Sequence, residues 1–335
     1  MAKTYKDIQA MTGLSLSTIS KHFNGGVLRE ENRVAIEQAI QKLDYRVNLF
    51  AQGLKSKKSR KVGVLIPELT STHHTFVTSE VCYRLREAGY DTVVCDAHRD
   101  RQIERDALNF LLDRMVDGII TIPLDPSGDH LLKARERRVP VVLVDRLVRG
   151  FKADAVIVDN AGAGATAAKV LVEHGHRRIG LITGLSEIYT MRERTKGFLS
   201  YLALSGVPHD GALTREIEFS VDGGYHSTLS LMNLPEPPTA LFTANYELML
   251  GMIMALNEMG ARIGEDVSVV GFDNFILARV IKPRLTMIMQ PMEEITLQAS
   301  RLMIERLEHP EPGIRVVELP TQLIEGESVK TIQVR

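Results

Sequence analysis

Thr4-Tyr5-Lys6-Asp7-Ile8-Gln9-Ala10-Met11-Thr12-Gly13-Leu14-Ser15-Leu16-Ser17-Thr18-Ile19-Ser20-Lys21-His22-Phe23-Asn24 is the stretch on which the reading of the chain turns. Thr4 can cap a first helix whose apolar face is Ile8 and Met11, with Tyr5 just ahead. Gly13 falls just past that helix, where a left-handed residue closes a tight turn. Ser15 then caps a second helix with Ile19 and Phe23 facing inward. Two short helices at this spacing bury little alone and leave the second free to lie in a DNA major groove. On it Leu16, Ser17 and Lys21 point outward near the end that approaches base edges. Ser15, Thr18 and Ser20 are short hydroxyl donors suited to phosphate oxygens. A third helix is expected from about Arg29 to Leu43, with Val34, Ile36, Ala39, Ile40 and Leu43 as its apolar face.

A short basic segment follows, from Asp44-Tyr45-Arg46-Val47-Asn48 through Ala51 and Leu54 to Lys61. With it in view the chain resembles the LacI/GalR family of transcriptional regulators. The resemblance rests on Asp7-Ile8, Gly13-Leu14-Ser15, Thr18-Ile19-Ser20 and Asn24-Gly25 for the reading head, and on Asn48, Ala51 and Leu54 for a hinge helix. It implies a helix-turn-helix DNA-binding domain over 1–46, a hinge helix over 47–60 and a two-lobed effector-binding and dimerisation body over 61–335. The implied DNA contacts are Ser15, Leu16, Ser17, Thr18, Ser20, Lys21, Asn24, Asn48, Ala51 and Leu54. The hinge is short for an isolated helix and carries Gly53, so it should order only on DNA. There two hinges would pair over the minor groove, with Leu54 wedged between base steps.

Charge supports that division. Residues 1–61 hold twelve Lys/Arg against five Asp/Glu, about +7, and the remainder twenty-nine against thirty-seven, about −8. A basic module on an acidic body confines the electrostatic footprint to one end. A merely solvated basic arm would explain the charge but not the helix-turn-helix pattern. Cys82 and Cys95 form neither a disulfide framework nor a metal spacing, and both sit in apolar stretches that suit buried free thiols. No signal peptide precedes the head, and no apolar run nears the ~20 residues that span a bilayer. A cytoplasmic protein with no membrane association is therefore expected.

Beyond residue 61 strand-like and helix-like runs alternate. Strands are expected at Lys61–Ile66, Thr92–Cys95, Gly118–Ile122, Val139–Val144, Ala155–Val158, Arg178–Thr183, Thr239–Thr243 and Val267–Phe272. Helices are expected over 76–88, 101–115, 127–137, 160–174, 191–206, 223–232 and 246–259. The pattern argues parallel sheets covered on both faces, an α/β body. About 270 residues would make one doubly wound sheet large, so two lobes fit better. The resemblance implies two Rossmann-like lobes, the first about 61–160 plus 290–319, the second about 161–289 plus 320–335, with a ligand cleft between them.

Open α/β sheets bind ligands at the carboxyl ends of their strands. The loops there carry His73-His74, Asp145-Arg146, Arg192 and Arg194, Phe219, Tyr246, Asp273 and Gln290. The resemblance sets the effector against Asp145, Arg194, Phe219, Tyr246, Asp273 and Gln290. Arg194 would clamp hydroxyls or an anion through its fork of donors, and Phe219 would face a sugar ring. Taken singly, an Arg in a first helical turn is more often solvated, and Phe219 more often core. Three departures from the family pattern stand out. Asn245-Tyr246 replaces an Asn-Asp pair, Thr72-His73-His74-Thr75 replaces an Asn-Pro-Phe-Phe-like loop, and Tyr45-Arg46-Val47-Asn48 lacks the usual proline. The first two remove an acid and add imidazoles near Arg192 and Arg194. They tilt the pocket toward a sugar phosphate or sugar acid.

Other motifs carry less. Gly162-Ala163-Gly164-Ala165-Thr166-Ala167 follows a strand and opens a helix, but the next strand ends at Thr183-Gly184 with no carboxylate for a ribose. Close helix packing explains the run better than a dinucleotide, and no cofactor is expected. His174-Gly175-His176 and His73-His74 lack further ligands at metal spacing. Two function classes remain: a ligand-gated DNA-binding repressor of carbohydrate genes, and an enzyme or sugar carrier sharing the two-lobed body. The basic head and hinge favour the first. Its partners would be a roughly palindromic operator duplex, a carbohydrate effector and a second copy of the chain, since each head reads one half-site. The tail Glu325–Arg335 lacks a leucine heptad, so a dimer rather than a tetramer is expected.

Overall fold

The computed structural model describes residues 3–23, 26–45, 59–273, 280–309 and 313–332. Two compact units result, Met1–Ser59 and Arg60–Arg335. In the first, Thr4 starts helix α1 (Tyr5–Thr12), its amide and hydroxyl both donating to the Asp7 carboxylate at 2.7 and 2.9 Å. Gly13 (φ 69°) ends it, donating its amide to the Gln9 carbonyl at 2.8 Å. That conformation is cheap only without a Cβ. Helices α2 (Leu16–Phe23) and α3 (Glu30–Leu43) complete the unit. Ile8, Ile19, Ile36, Ala39 and Tyr45 are its buried core. Tyr5 stacks on Phe23 at 5.0 Å, and Tyr45 closes on both rings. Met11 and Val34, expected on apolar faces, are instead exposed. So few side chains fill this three-helix core that only the most central positions of each helix are covered. The expected hinge, with Asn48, Ala51, Gly53 and Leu54, lies outside the described residues, as does Asn24.

The second unit holds two six-stranded sheets. The first contains β1 (Lys61–Ile66), β2 (Asp91–Asp96), β3 (Gly118–Thr121), β4 (Val141–Val144), β5 (Asp154–Val158) and β11 (Val316–Leu319). The second contains β6 (Ile179–Thr183), β7 (Thr214–Glu216), β8 (Ala240–Thr243), β9 (Ser268–Phe272), β10 (Thr286–Met289) and β12 (Gln322–Ile324). Their orders are β11-β5-β4-β3-β1-β2 and β12-β10-β9-β8-β6-β7, parallel except for the β10–β12 pair. Parallel strands need crossovers, and apart from the loop joining β4 to β5 those of the first sheet carry helices: α4 (Thr72–Glu87), α5 (Arg101–Asp113) and α6 (Leu132–Glu136). Around the second are α7 (Asn160–Glu173), α8 (Tyr189–Leu204), α9 (Val221–Met232) and α10 (Tyr246–Glu258). The chain then returns through α11 (Met292–Glu308), which packs on the first sheet.

Both faces of each sheet are buried, which is why β1 reads as an unbroken apolar run. Val62, Val64 and Ile66 enter one core and Leu65 the opposite one. The fold class is as expected, but four strands and α11 were not singled out in the sequence. β7 and β12 are three-residue edge strands, too short to print an apolar run, and β11 is half-exposed. Cys82 and Cys95 are half-buried free thiols rather than fully buried ones. Cys95 lies on edge strand β2, and only one side of that strand is covered.

Candidate functional site

Two places gather chemistry. On the head, Ser15 precedes α2 and its hydroxyl accepts the Thr18 amide at 3.1 Å. The same hydroxyl meets those of Ser17 and Thr18 at 2.7 and 2.8 Å. The first turn of α2 bears no acid, while Lys21 and His22 occupy its last turn. A helix N-terminus ringed by hydroxyls and free of carboxylates is suited to a phosphate oxygen. Leu16, Ser17 and Lys21 are exposed, and Thr18 and Ser20 half-buried. All five therefore line the start and outer face of one helix.

The second place lies between the two sheets, at the carboxyl ends of their strands. His73 and His74 fall in the first turn of α4, not in a loop, because the helix starts earlier than its apolar pattern suggests. Asp145-Arg146 follow β4, Asp273 follows β9 and Gln290 follows β10. Arg194 projects from α8 and is 3% exposed. Its Nε donates to the Asn160 side-chain oxygen at 2.8 Å and its Nη1 to the Ala244 carbonyl at 2.7 Å. The guanidinium lies 3.6 Å over the Phe272 ring. Its height along α8 is set by close helix contact: a Cβ on Gly164 would come within 1.9 Å of the Arg194 carbonyl oxygen. The glycine–alanine run thus serves helix packing.

Charges from both lobes converge around this guanidinium. Burial lowers Arg194 to about 10, against the pull of Asp145 and Asp273. It stays protonated near neutral pH. Burial pushes the Asp145 carboxyl up, but His73, Arg146, Arg194 and His74 together bring it below its ordinary value. Arg146 Nε donates to it at 3.1 Å. Asp273 is raised by burial, only partly offset by His73 and Arg194. Its carboxylate accepts the Gln290 side-chain amide at 2.5 Å and the Gln290 backbone amide at 3.3 Å. Across the cleft His73 Nδ1 stands 4.0 Å from Asp273. Burial, then the neighbouring His73 and Arg146, hold His74 well below the usual imidazole range, so it is neutral. His73 Nε2, His74 Nδ1 and Gln290 Oε1 are buried without a hydrogen-bond partner. Burying polar atoms unpartnered is costly, and the cost is recovered when a ligand bonds them.

The remaining candidates are less buried. Phe219 is half-buried against the cores on both faces of the second sheet, and its ring occupies the space a Cβ on Gly184 would need. Tyr246 begins α10, half-buried. Arg192 is bonded to Glu193 at 3.1 Å and lies 5.6 Å from the Tyr189 ring. No described contact joins it to Asp145 or Asp273.

Residues 168–329 match the family of periplasmic binding protein-like domains. The HTH-type transcriptional repressor PurR of Photobacterium profundum is 30% identical over 335 residues, covering 98% of this chain and 99% of that repressor. The chain belongs to the LacI/GalR family of transcriptional regulators. The Lac repressor dimer bound to operator and the anti-inducer ONPF shares the fold, with a TM-score of 0.86 at 24% identity, covering 98% of this chain and all of that one. A LacI family regulator from Enterococcus faecium with bound ribose has 28% identity and a TM-score of 0.74, covering 82% of this chain and all of that one.

As a LacI/GalR-family member the chain is a DNA-binding regulator, not an enzyme. In this regulator His174 and His176 have structural partners: His174 Nδ1 meets the Val170 carbonyl, and His176 meets Thr239 and the Lys330 carbonyl. No described helix is long and apolar enough to cross a membrane. Asn160 and Phe272 were missed in the sequence, although each adjoins a strand end. Also missed was Arg99, whose guanidinium bonds Glu68, Glu247 and the Phe219 carbonyl.

Proposed function

We propose that the chain is a homodimeric repressor of carbohydrate-metabolism genes, with operator affinity set by a carbohydrate bound between the two lobes. The head formed by residues 1–46 reads a half-site, 47–60 is the hinge, and the body from 61 onward binds effector and partner. Arg194 is the observation that carries this reading: a buried, charged guanidinium held by Asn160 and Ala244, with carboxylates of both lobes around it and three unpartnered polar atoms nearby. Such a set matches a polyhydroxyl ligand, whose hydroxyls both donate and accept. Exposed apolar residues flanking edge strand β2, namely Phe76 and Tyr83 on α4 and Ile103 and Phe110 on α5, give a second copy a surface to cover. Leu54 supplies the minor-groove wedge, and Leu54→Ala weakens operator binding and bending while leaving the fold intact.

The ligand is a sugar phosphate or sugar acid in the finer form of this reading. Tyr246 stands where an acid would repel an anion, and Arg194 keeps its charge. Thermal-shift screening of free and phosphorylated sugars, followed by operator mobility shifts with any hit across a salt series, tests the whole. A hit that alters salt-dependent operator binding supports it. Stabilisation by no sugar of either kind, or operator affinity indifferent to salt, overturns it. Tyr246→Asp then separates the finer reading, because a like charge weakens an anionic ligand more than its neutral analogue. Equal losses for both would leave a neutral sugar as effector.

A further inference from the structure

The loop leaving β2 reaches across the cleft on the side away from the segments that join the lobes. Those segments leave from β5, β10 and β11, toward one edge of the paired sheets, whereas β2 is the outermost strand of the opposite edge. His98 and Arg99 both adopt left-handed backbone, with φ of 49° and 58°. Residues with a Cβ keep that conformation only when their surroundings hold them. Here the Asp96 carboxylate accepts the His98 and Leu69 amides at 2.7 and 3.2 Å, and the Arg99 amide donates to the Pro67 carbonyl at 2.8 Å. The turn so fixed presents the Arg99 guanidinium to three acceptors. Nη2 meets Glu68 of its own lobe and, at 2.6 Å, Glu247 of the other. Nη1 donates to the Phe219 carbonyl, also across the cleft. Beside it Arg101 pairs with Glu187 of the second lobe.

We propose that Arg99 is the latch that holds the lobes closed and that, by gripping Phe219 and the neighbour of Tyr246, it positions one wall of the ligand pocket. The positioning half rests on the effector reading given above. Contacts close to the joining segments have little leverage on opening, whereas the far edge separates first and farthest. Three acceptors in two directions require the rigid fork of a guanidinium, which an ammonium lacks. Glu68 makes the latch reversible. When the lobes part, Arg99 keeps a partner in its own lobe, so the guanidinium is not left without a counter-ion. Only the bonds to Glu247 and Phe219 are exchanged for water.

Amide hydrogen exchange on the full-length protein, with no ligand added, tests this. Arg99→Ala should speed exchange of amides over 217–224 and 246–250 by about three- to tenfold, the scale of losing a charge-assisted contact that is partly solvated. Glu247→Gln should do the same, and the double variant should add little to either. Arg99→Lys should fall between wild type and Arg99→Ala. Amides of β3 and β4 report global folding. If Arg99→Ala leaves these unprotected, Glu247→Gln alone decides the matter. Unchanged exchange over 217–224 and 246–250, or fully additive effects in the double variant, would overturn the latch. Failure of the effector reading is seen separately, as wild-type protein that no sugar stabilises.

Discussion

In the head, the described residues proposed to meet DNA run from Ser15 to Lys21, at the start and along the outside of one helix of eight residues. In the cleft, His73, Asp145, Arg194, Asp273 and Gln290 come from five separate segments, which follow β1, β4, β6, β9 and β10 in two lobes. The head's groups are exposed or half-exposed and form few bonds beyond their own turn. Those of the cleft are largely enclosed and hold one another. Exposed groups stay hydrated in the free protein, so changing one removes a contact and leaves no buried partner stranded. Buried charges are interdependent, and removing one leaves its partners without compensation. Substitutions in the cleft should therefore cost fold and function together, while those in the head should separate the two.

Arg194→Ala should show the largest effect. The effector response should vanish, and the body should lose about 3–5 kcal/mol, the cost of leaving buried partners uncompensated. Denaturant titration gives the second figure and operator release by an identified effector the first. A variant as stable as wild type would mean that solvent reaches Asp145 and Asp273 freely, and the contrast between cleft and head would collapse.

His176 asks whether such sensitivity belongs to the cleft or to burial anywhere in the body. It is fully buried, and desolvation lowers it to about 4 from an ordinary 6.5, with Lys330 and His174 adding to the lowering and its bond to the Lys330 carbonyl opposing it. Between those values the unfolded chain takes up a proton that the fold refuses. Its contribution is thus whole above pH 6.5 and declines as pH falls toward 4, by about 3 kcal/mol in all. Melting curves at about pH 7.5, above that window, and about pH 4.5, near its lower end, should show a smaller acid loss for His176→Gln than for wild type. Equal losses would assign the acid sensitivity to other groups, His74 first among them.

The same contrast explains what could be read from the amino-acid order. Thr4, Gly13, Ser15 and Ile19 announce the head because caps, turns and a helical face are short-range signals. The alternation of apolar runs announces the body, since each buried strand must be apolar through its whole length. Strands β7 and β12 were illegible because three residues at an edge carry no pattern. In the cleft, strand-end position pointed to Asp145, Asp273 and Gln290. Nothing local tells that Asn160 and Phe272 fix Arg194, or that Arg99 meets Glu247, because those pairs are made only when the chain has folded.

On the head, Ser17 and Lys21 should act on base preference. Losing a good contact from either should change discrimination at particular operator positions by about 1–3 kcal/mol. Thr18→Ala should weaken all duplexes alike, since a phosphate contact carries no sequence information. Selection from randomised duplexes reads both. An unchanged preference in both the Ser17 and Lys21 variants would take base reading away from this helix face.

Ser15 gives the smallest effect on stability and the cleanest separation of fold from function. Its hydroxyl caps α2 through the Thr18 amide, so Ser15→Ala should cost the head about 1 kcal/mol. Ser15→Asp should restore that loss, because a carboxylate caps as well as a hydroxyl and favours the positive end of the helix dipole. On DNA the two variants should part company. The carboxylate would face phosphate and weaken binding to every sequence, most at low salt, where charges act at longer range. Melting of the head and mobility shifts at two salt concentrations are sufficient. If Ser15→Asp bound DNA as wild type does at low salt, the start of α2 would not lie against the phosphate backbone. The head would then have to dock through a different face.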